Sequence, residues 1–297
     1  MSVMKPVTFL LPLLALTGPL AGQATVPEPQ PPSVEALARS VVFLTGPEPT
    51  PRSASPVKGS APSLVHIGTG FLVGIDDTVY LVTAEHVAAK LKDGAALTYA
   101  SDGDRPVSHA LQLLSGGRPP SWLRHATADV AVLQLSPPSS VLPELLARSL
   151  SPPLLTSEAL APPRSRPLTT IGFPLGLGVV ITGPSGRLSP ITRESKAVSG
   201  LLTIKRFDTK TPATFFLLDS PSIGGFSGSP VFMTAGAYSD NGGLALTSST
   251  LCVGLIHGTL NDKGEGRLTA VVLAADIAAT LTRAHSLREN SRFRLFR

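Results

Sequence analysis

The sequence predicts an all-β protein built as two strand-rich halves. Its 297 residues include 29 Pro and 27 Gly with 5% aromatics, a composition of short strands joined by irregular loops. Short apolar runs bounded by turn residues recur along the chain, and a Pro-rich stretch, Ser136–Pro167, divides it into halves of similar size. Two packed β-barrels or a sandwich satisfy both observations. One element changes period: after Asp276, a helix-capping residue type, Ile277, Leu281 and Ala284 fall on one helical face.

In the first half, Ser33 caps a short helix over Val34–Arg39, with Glu35 in its first turn. Val41–Thr45 reads as a strand, followed by a Pro/Ser-rich loop from Pro47 to Ser63. Gly70–Gly74 and Val79–Thr83 are strands joined by a tight hairpin, and Ala110–Leu114 and Val130–Leu135 are further strands. Helical turns are expected at Leu142–Arg148 and Thr156–Leu160. Strands of the second half are expected at Leu168–Gly172, Val179–Thr182, Val198–Ile204, Phe215–Asp219, Pro230–Met233, Cys252–Ile256 and Thr269–Leu273.

The N-terminus reads as an export signal over residues 1–24. Lys5 is the only charge before Glu28, Val7–Leu16 is an apolar core, and Gly22 and Ala24 fit small-residue cleavage. An uncleaved anchor is the other reading, but Pro12, Gly18 and Pro19 interrupt a run already short of the ~20 residues that a span needs. The expectation is a secreted or periplasmic protein with no stable membrane insertion. A Pro-rich leader with its short helix would occupy 25–40, the folded domain 41–284 and a basic tail 285–297. Within the domain the halves would be about 41–140 and 165–275, with the helix at 276–284. Cys252 is the lone cysteine, so no internal disulfide is possible. The formal charge is +5, but aromatic and basic residues are not interleaved, so nucleic-acid binding is not expected. The other histidines and the lone Cys show no metal-ligand spacing, and neither a metal nor a cofactor is expected. Oligomeric state is not legible.

Three segments carry chemistry. Thr83-Ala84-Glu85-His86 ends a hydrophobic strand, Asp129 directly precedes Val130–Leu135, and Gly224-Gly225-Phe226-Ser227-Gly228-Ser229-Pro230 is a Gly-rich loop before a strand. A serine hydroxyl needs a neighbouring base to act as a nucleophile at neutral pH, and histidine suits that work. A buried carboxylate fixes the imidazole's tautomer and stabilises its positive charge. Glycines let the backbone N–H groups of Gly225 and Ser227 converge on a developing oxyanion. Each segment alone is a weak signal; together, in the order His86, Asp129, Ser227, they are a strong one.

These segments resemble the chymotrypsin superfamily, within it the disulfide-poor bacterial branch of HtrA-like and glutamyl endopeptidases. Gly68–Val73, Leu81–Val87, Asp129–Leu135, Ile171–Gly178, Gly225–Val231 and Val253–Gly258 carry the resemblance. It implies two six-stranded antiparallel barrels with a site between them, and a serine endopeptidase acting on protein or peptide substrates through an acyl-enzyme. His86 and Asp129 would come from the first barrel and Ser227 from the second. The alternative is a protease-fold binding protein without useful activity. Substrate would meet Pro221, Ser222, Ile256, His257 and Gly258, with Ile256–Thr259 on an edge strand that pairs with the substrate backbone. Phe226 stands where animal members carry an Asp that pairs with a newly cut N-terminus, so that activation switch is absent. A PDZ domain, carried by HtrA-like enzymes, is not expected. Pro221 stands where an Asp selects Lys or Arg, so cleavage after those residues should be poor. The resemblance leaves a neutral pocket for small or aliphatic residues, favoured over one in which His257 holds a glutamate. A side chain one place along a strand faces the other way, which would put Ile256 at the pocket and His257 near Asp129.

Overall fold

The computed structural model describes residues 31–48, 64–164, 166–180, 186–240, 243–247, 249–261 and 267–295. The expected signal segment and the Pro/Ser-rich loop beyond Glu48 lie outside these, as do Ile181 and Thr182 of one expected strand. Pro31–Arg297 is one compact unit. Its elements run α1 (Val34–Ala38), β1 (Val41–Pro47), β2 (Leu64–Ile75), β3 (Thr78–Thr83), α2 (Glu85–Ala88), β4 (Ala96–Ala100), β5 (Pro106–Ala110), α3 (Leu111–Leu114), β6 (Leu123–Arg124), β7 (Ala131–Gln134) and α4 (Leu142–Arg148). The second half holds β8 (Pro167–Gly172), β9 (Val179–Val180), β10 (Arg187–Leu188), β11 (Ile191–Lys196), β12 (Leu202–Lys205), β13 (Pro212–Leu218) and β14 (Pro230–Met233). It closes with β15 (Gly236–Asp240), β16 (Gly243–Thr247), β17 (Leu251–Asn261), β18 (Arg267–Leu273) and α5 (Ala274–Leu295).

Each half is built on a seven-stranded antiparallel sheet, ordered β5-β4-β1-β2-β3-β7-β6 in the first and β11-β8-β14-β17-β18-β13-β12 in the second, where β9–β10 and β15–β16 form separate two-stranded ribbons. The count exceeds six in the first sheet because the two-residue β6, too short to be read by alternation, joins its edge. The tight hairpin forms as expected: Ile75 pairs Thr78, and Asp76 takes the left-handed φ of 51° that a two-residue turn requires. The inner strands of the second sheet are covered on both faces. Along β13, Phe215 and Leu217 enter the main core, while Phe216 and Leu218 enter a second apolar cluster with Phe226, Val271 and Leu273. Such strands read as continuous apolar runs because neither side sees water. Each fully buried Phe or Leu stabilises the fold by roughly 1.5–3 kcal/mol. Cys252 lies buried in the main core, and burial pushes its thiol pKa up to about 12.

Several expectations are corrected. Ala110–Leu114 is not a strand: β5 ends at Ala110 and the chain turns into α3, whose Leu111 and Leu114 are both buried at a helical spacing. Thr156–Leu160 is irregular; the turn sits earlier, at Pro152–Leu154, where proline suits a first helical position. The last helix begins at Ala274, with Asp276 in its first turn rather than at its cap, and runs to Leu295, well beyond Ala284. It returns to the first half, where Arg288 bonds Asp77 of the hairpin at 2.8 Å and His285 bonds the Tyr80 hydroxyl at 3.1 Å. In the expected leader, Ser33 caps α1 through the Ala36 N–H, and Leu37 is buried in the main core.

Candidate active site

The site forms where the two sheets meet. Thr83 ends β3, and the chain turns directly into α2, which carries Glu85 and His86. Asp129 precedes β7, which pairs with β3, so Asp129 and His86 start from neighbouring strands. The His86 Nδ1 lies 2.7 Å from Asp129 Oδ2, and the His86 backbone N–H donates to Oδ1 at 3.0 Å.

Asp129 is fully buried and has two further partners, both from the second half. His257 Nδ1 lies 2.5 Å from Oδ2, and Arg206 Nη2 donates to Oδ1 at 3.1 Å. Burial works to raise the Asp129 carboxyl, but the hydrogen bonds from His257 and His86 outweigh it and hold the group well below the usual carboxylate range. Arg206 is itself 3% exposed and also bonds Glu85 at 2.8 Å, Asp208 at 2.5 Å and the Thr127 carbonyl at 3.2 Å. Burial alone would lower its guanidinium pKa; the hydrogen bond to Asp208 and the charge of Asp129 push it up instead.

His257 is fully buried between aromatic rings, with Phe207 at 4.3 Å and Phe215 at 4.9 Å between centroids. Its Nε2 accepts the Phe207 N–H at 3.4 Å, which leaves Nδ1 to donate to Asp129. The β17–β18 register shifts between Ile256 and Gly258, and this bulge aims His257 inward. The three side chains His86, Asp129 and His257 are close enough to hold a metal ion. Their contacts are hydrogen bonds to one carboxylate, however, and Asp129 is already satisfied, so the cluster is read as a proton-holding group.

Ser227 sits in the Gly-rich loop, and Thr69 of β2 straps that loop to the first half. The Thr69 N–H donates to the Ser227 carbonyl at 3.0 Å and its hydroxyl to the Gly225 carbonyl at 2.8 Å. Gly228 packs so closely on Thr83 and Ala84, beside His86, that a Cβ there would lie 2.3 Å from Thr83 Oγ1. The Ser227 hydroxyl donates to the His257 carbonyl at 3.2 Å. Among the described residues, neither the Gly225 nor the Ser227 N–H has a hydrogen-bond partner. Gly225 adopts φ 97°, and a Cβ there would lie 2.4 Å from His66 Cε1. Phe226 is buried in the second apolar cluster, which anchors the loop from below.

Pro221, Ser222 and Ile256 line one recess beside this loop. The His257 side chain does not reach it. Ile256 spends both backbone groups inside the protein, its N–H on Ser229 and its carbonyl on Gly228 at 2.8 Å. β17 is an interior strand in its first part; beyond Leu255 its pairing with β14 ends, and the side away from β18 opens at Gly258 and Thr259. The ring of Phe207 lies over Gly258, 2.7 Å from where a Cβ would be. Reasoning from sequence missed Arg206, Phe207 and the strap role of Thr69. Only the last had a signal, a Thr in the Gly68–Val73 run.

Two seven-stranded sheets, a His–Asp pair on the first and a serine in a Gly-rich loop on the second define a peptidase of the trypsin-like, two-barrel fold. Residues 68–238 match the trypsin-like peptidase domain, and the chain belongs to that family. Similar solved structures include the inactive form of a Ser-to-Ala mutant of Rv3671c from M. tuberculosis, at 17% identity and TM-score 0.45, over 85% of this chain and 90% of that one. The HtrA-type protease AlgW with a decapeptide matches at 15% identity and TM-score 0.46, over 84% of this chain and 65% of that one. Human heparin binding protein matches at 12% identity and TM-score 0.45, over 81% of this chain and 88% of that one. A search of curated proteins found no match.

The carboxylate form of Asp129 is the one that folding favours, because its folded-state pKa is depressed. The stability it contributes is therefore present above its unfolded pKa of about 4 and is lost as the pH falls below that. Unfolding free energy measured from pH 7 to pH 3 should drop steeply below pH ~4 in the wild type and much less steeply in Asp129→Asn. Parallel curves would contradict this role.

Proposed function

We propose that this protein is an exported serine endopeptidase that cuts protein or peptide chains through an acyl-enzyme. The observation that carries this reading is His86 held on Asp129 in the first half, with Ser227 in a Gly-rich loop that Thr69 straps to that same half. In this reading Ser227 Oγ attacks the scissile carbonyl while His86 takes its proton and then passes it to the leaving amine. Asp129 orients His86 and stabilises the imidazolium that forms. In this reading the Ser227 hydroxyl leaves the His257 carbonyl and meets His86 Nε2 before it attacks. The unbonded N–H groups of Gly225 and Ser227 would receive the oxyanion. The open side of β17 at Gly258 and Thr259 would pair with the substrate backbone.

Export rests on the apolar segment at residues 1–24, which lies outside the described residues. Among the described residues, no helix is long and apolar enough to cross a membrane. Because Phe226 is packed in the second apolar cluster, the oxyanion loop needs no ion pair from a newly cut N-terminus. The test is labelling by a fluorophosphonate probe of the protein starting at Thr25. Ser227 should be labelled at once, without prior cleavage, and not in Ser227→Ala. Folded protein that takes no label would favour a binding role for the fold instead.

A further inference from the structure

The recess lined by Pro221, Ser222 and Ile256 also receives the side chain of Arg193. It lies between the segment leading to Ser227 and the strand residue before His257, which is where the side chain preceding the cut bond would enter. Arg193 belongs to β11, and its register partner on β8 is Thr170, which lines the same recess. Alternation along β11 turns Glu194 to the other face. Arg193 is half-buried, and Nη1 donates to the Pro221 carbonyl at 2.6 Å.

That carbonyl is its only bonded partner among the described residues, and no carboxylate pairs with it. Among the described residues, Arg193 is the only charged one lining the recess; Thr170, Ser220, Ser222 and Thr269 add hydroxyls, and Ile256 and Phe226 add apolar wall. Asp219, the acid nearest in sequence to the lining segment, is turned away and accepts the Lys196 N–H at 3.0 Å. A guanidinium at a partly dry site with unspent donors is matched by a carboxylate, which can take two parallel N–H bonds.

On the reading of the site as a peptidase, we propose that Arg193 selects an acidic side chain, aspartate ahead of glutamate, at the residue before the cut bond. The order of the two acids follows from size, since the recess is small and the shorter side chain asks less of it. The same cation, together with Pro221 in place of an acid, excludes Lys and Arg. Arg193 is thus a specificity residue and takes no part in bond-breaking.

The test compares peptides that differ only at that residue, with Asp, Glu, Ala, Val and Lys, by kcat/KM. A charge-assisted pair should favour Asp over Ala by roughly ten- to a hundredfold. Arg193→Gln should lose that factor in the ratio of Asp to Ala turnover, Arg193→Lys should restore part of it, and Arg193→Glu should admit Lys. Equal or better turnover of Ala or Val in the wild type, or an acidic preference that survives in Arg193→Gln, overturns the proposal. Fluorophosphonate labelling of each variant separates the two ideas. Labelled protein without acidic preference defeats the role of Arg193 alone, whereas unlabelled folded wild type defeats the peptidase reading on which it rests.

Discussion

Ser227→Ala should reduce peptide hydrolysis by roughly a millionfold in kcat while leaving the protein folded. The hydroxyl makes one bond, to the His257 carbonyl, and its removal should cost no more than about 1 kcal/mol of stability. His86→Ala should lose about as much activity. The double substitution should lose no more than either alone, because nucleophile and base act as one unit. Steady-state kinetics on a peptide substrate, with denaturant unfolding as control, decides this. Turnover persisting in Ser227→Ala would sink the assignment, and additive losses would show that His86 is not its base.

The second large effect is expected at Arg206. Its guanidinium is nearly inaccessible and lies among Glu85, Asp129 and Asp208, two of them from the first half and one from the second. Arg206→Met would leave Asp129 and Asp208 without their shared cation and Glu85 with only Arg124, 3.7 Å away, and breaking buried pairs from one side costs about 3–5 kcal/mol. Arg206→Lys should recover part of this only, since an ammonium cannot present the planar fork that serves these acceptors together. Denaturant midpoints at neutral pH measure both variants. Wild-type stability in Arg206→Met would show that the four charges do not act as a cluster. Activity should fall as well, because Asp129 loses the bond that holds Oδ1 on its far side from the Nδ1 pair.

Much of this was legible along the chain. β14 and α4 fall where their residues place them, and β3 within a residue, since alternation, apolar runs and a well-placed proline are local signals. The candidate His86, Asp129 and Ser227 were legible because each sits in a short segment with its own chemistry. Strands β4, β5, β11 and the β15–β16 hairpin were not read. β5 and β11 carry exposed polar residues that break the apolar pattern, and edge strands owe their form to the partner they pair with.

By itself the sequence determined the class of fold, the two halves and the local setting of each candidate residue, because these depend on spacing within a dozen residues. Only the tertiary structure decided what those residues meet. The approach of His257 to Asp129, expected from its place one step along the strand from Ile256, is made at a one-residue bulge in β17 that the sequence did not show. Arg206 reached Asp129 from 77 positions along the chain, and Arg193 reached the recess through its cross-strand pairing with Thr170. Register and close packing made these contacts, and neither is written in any single segment.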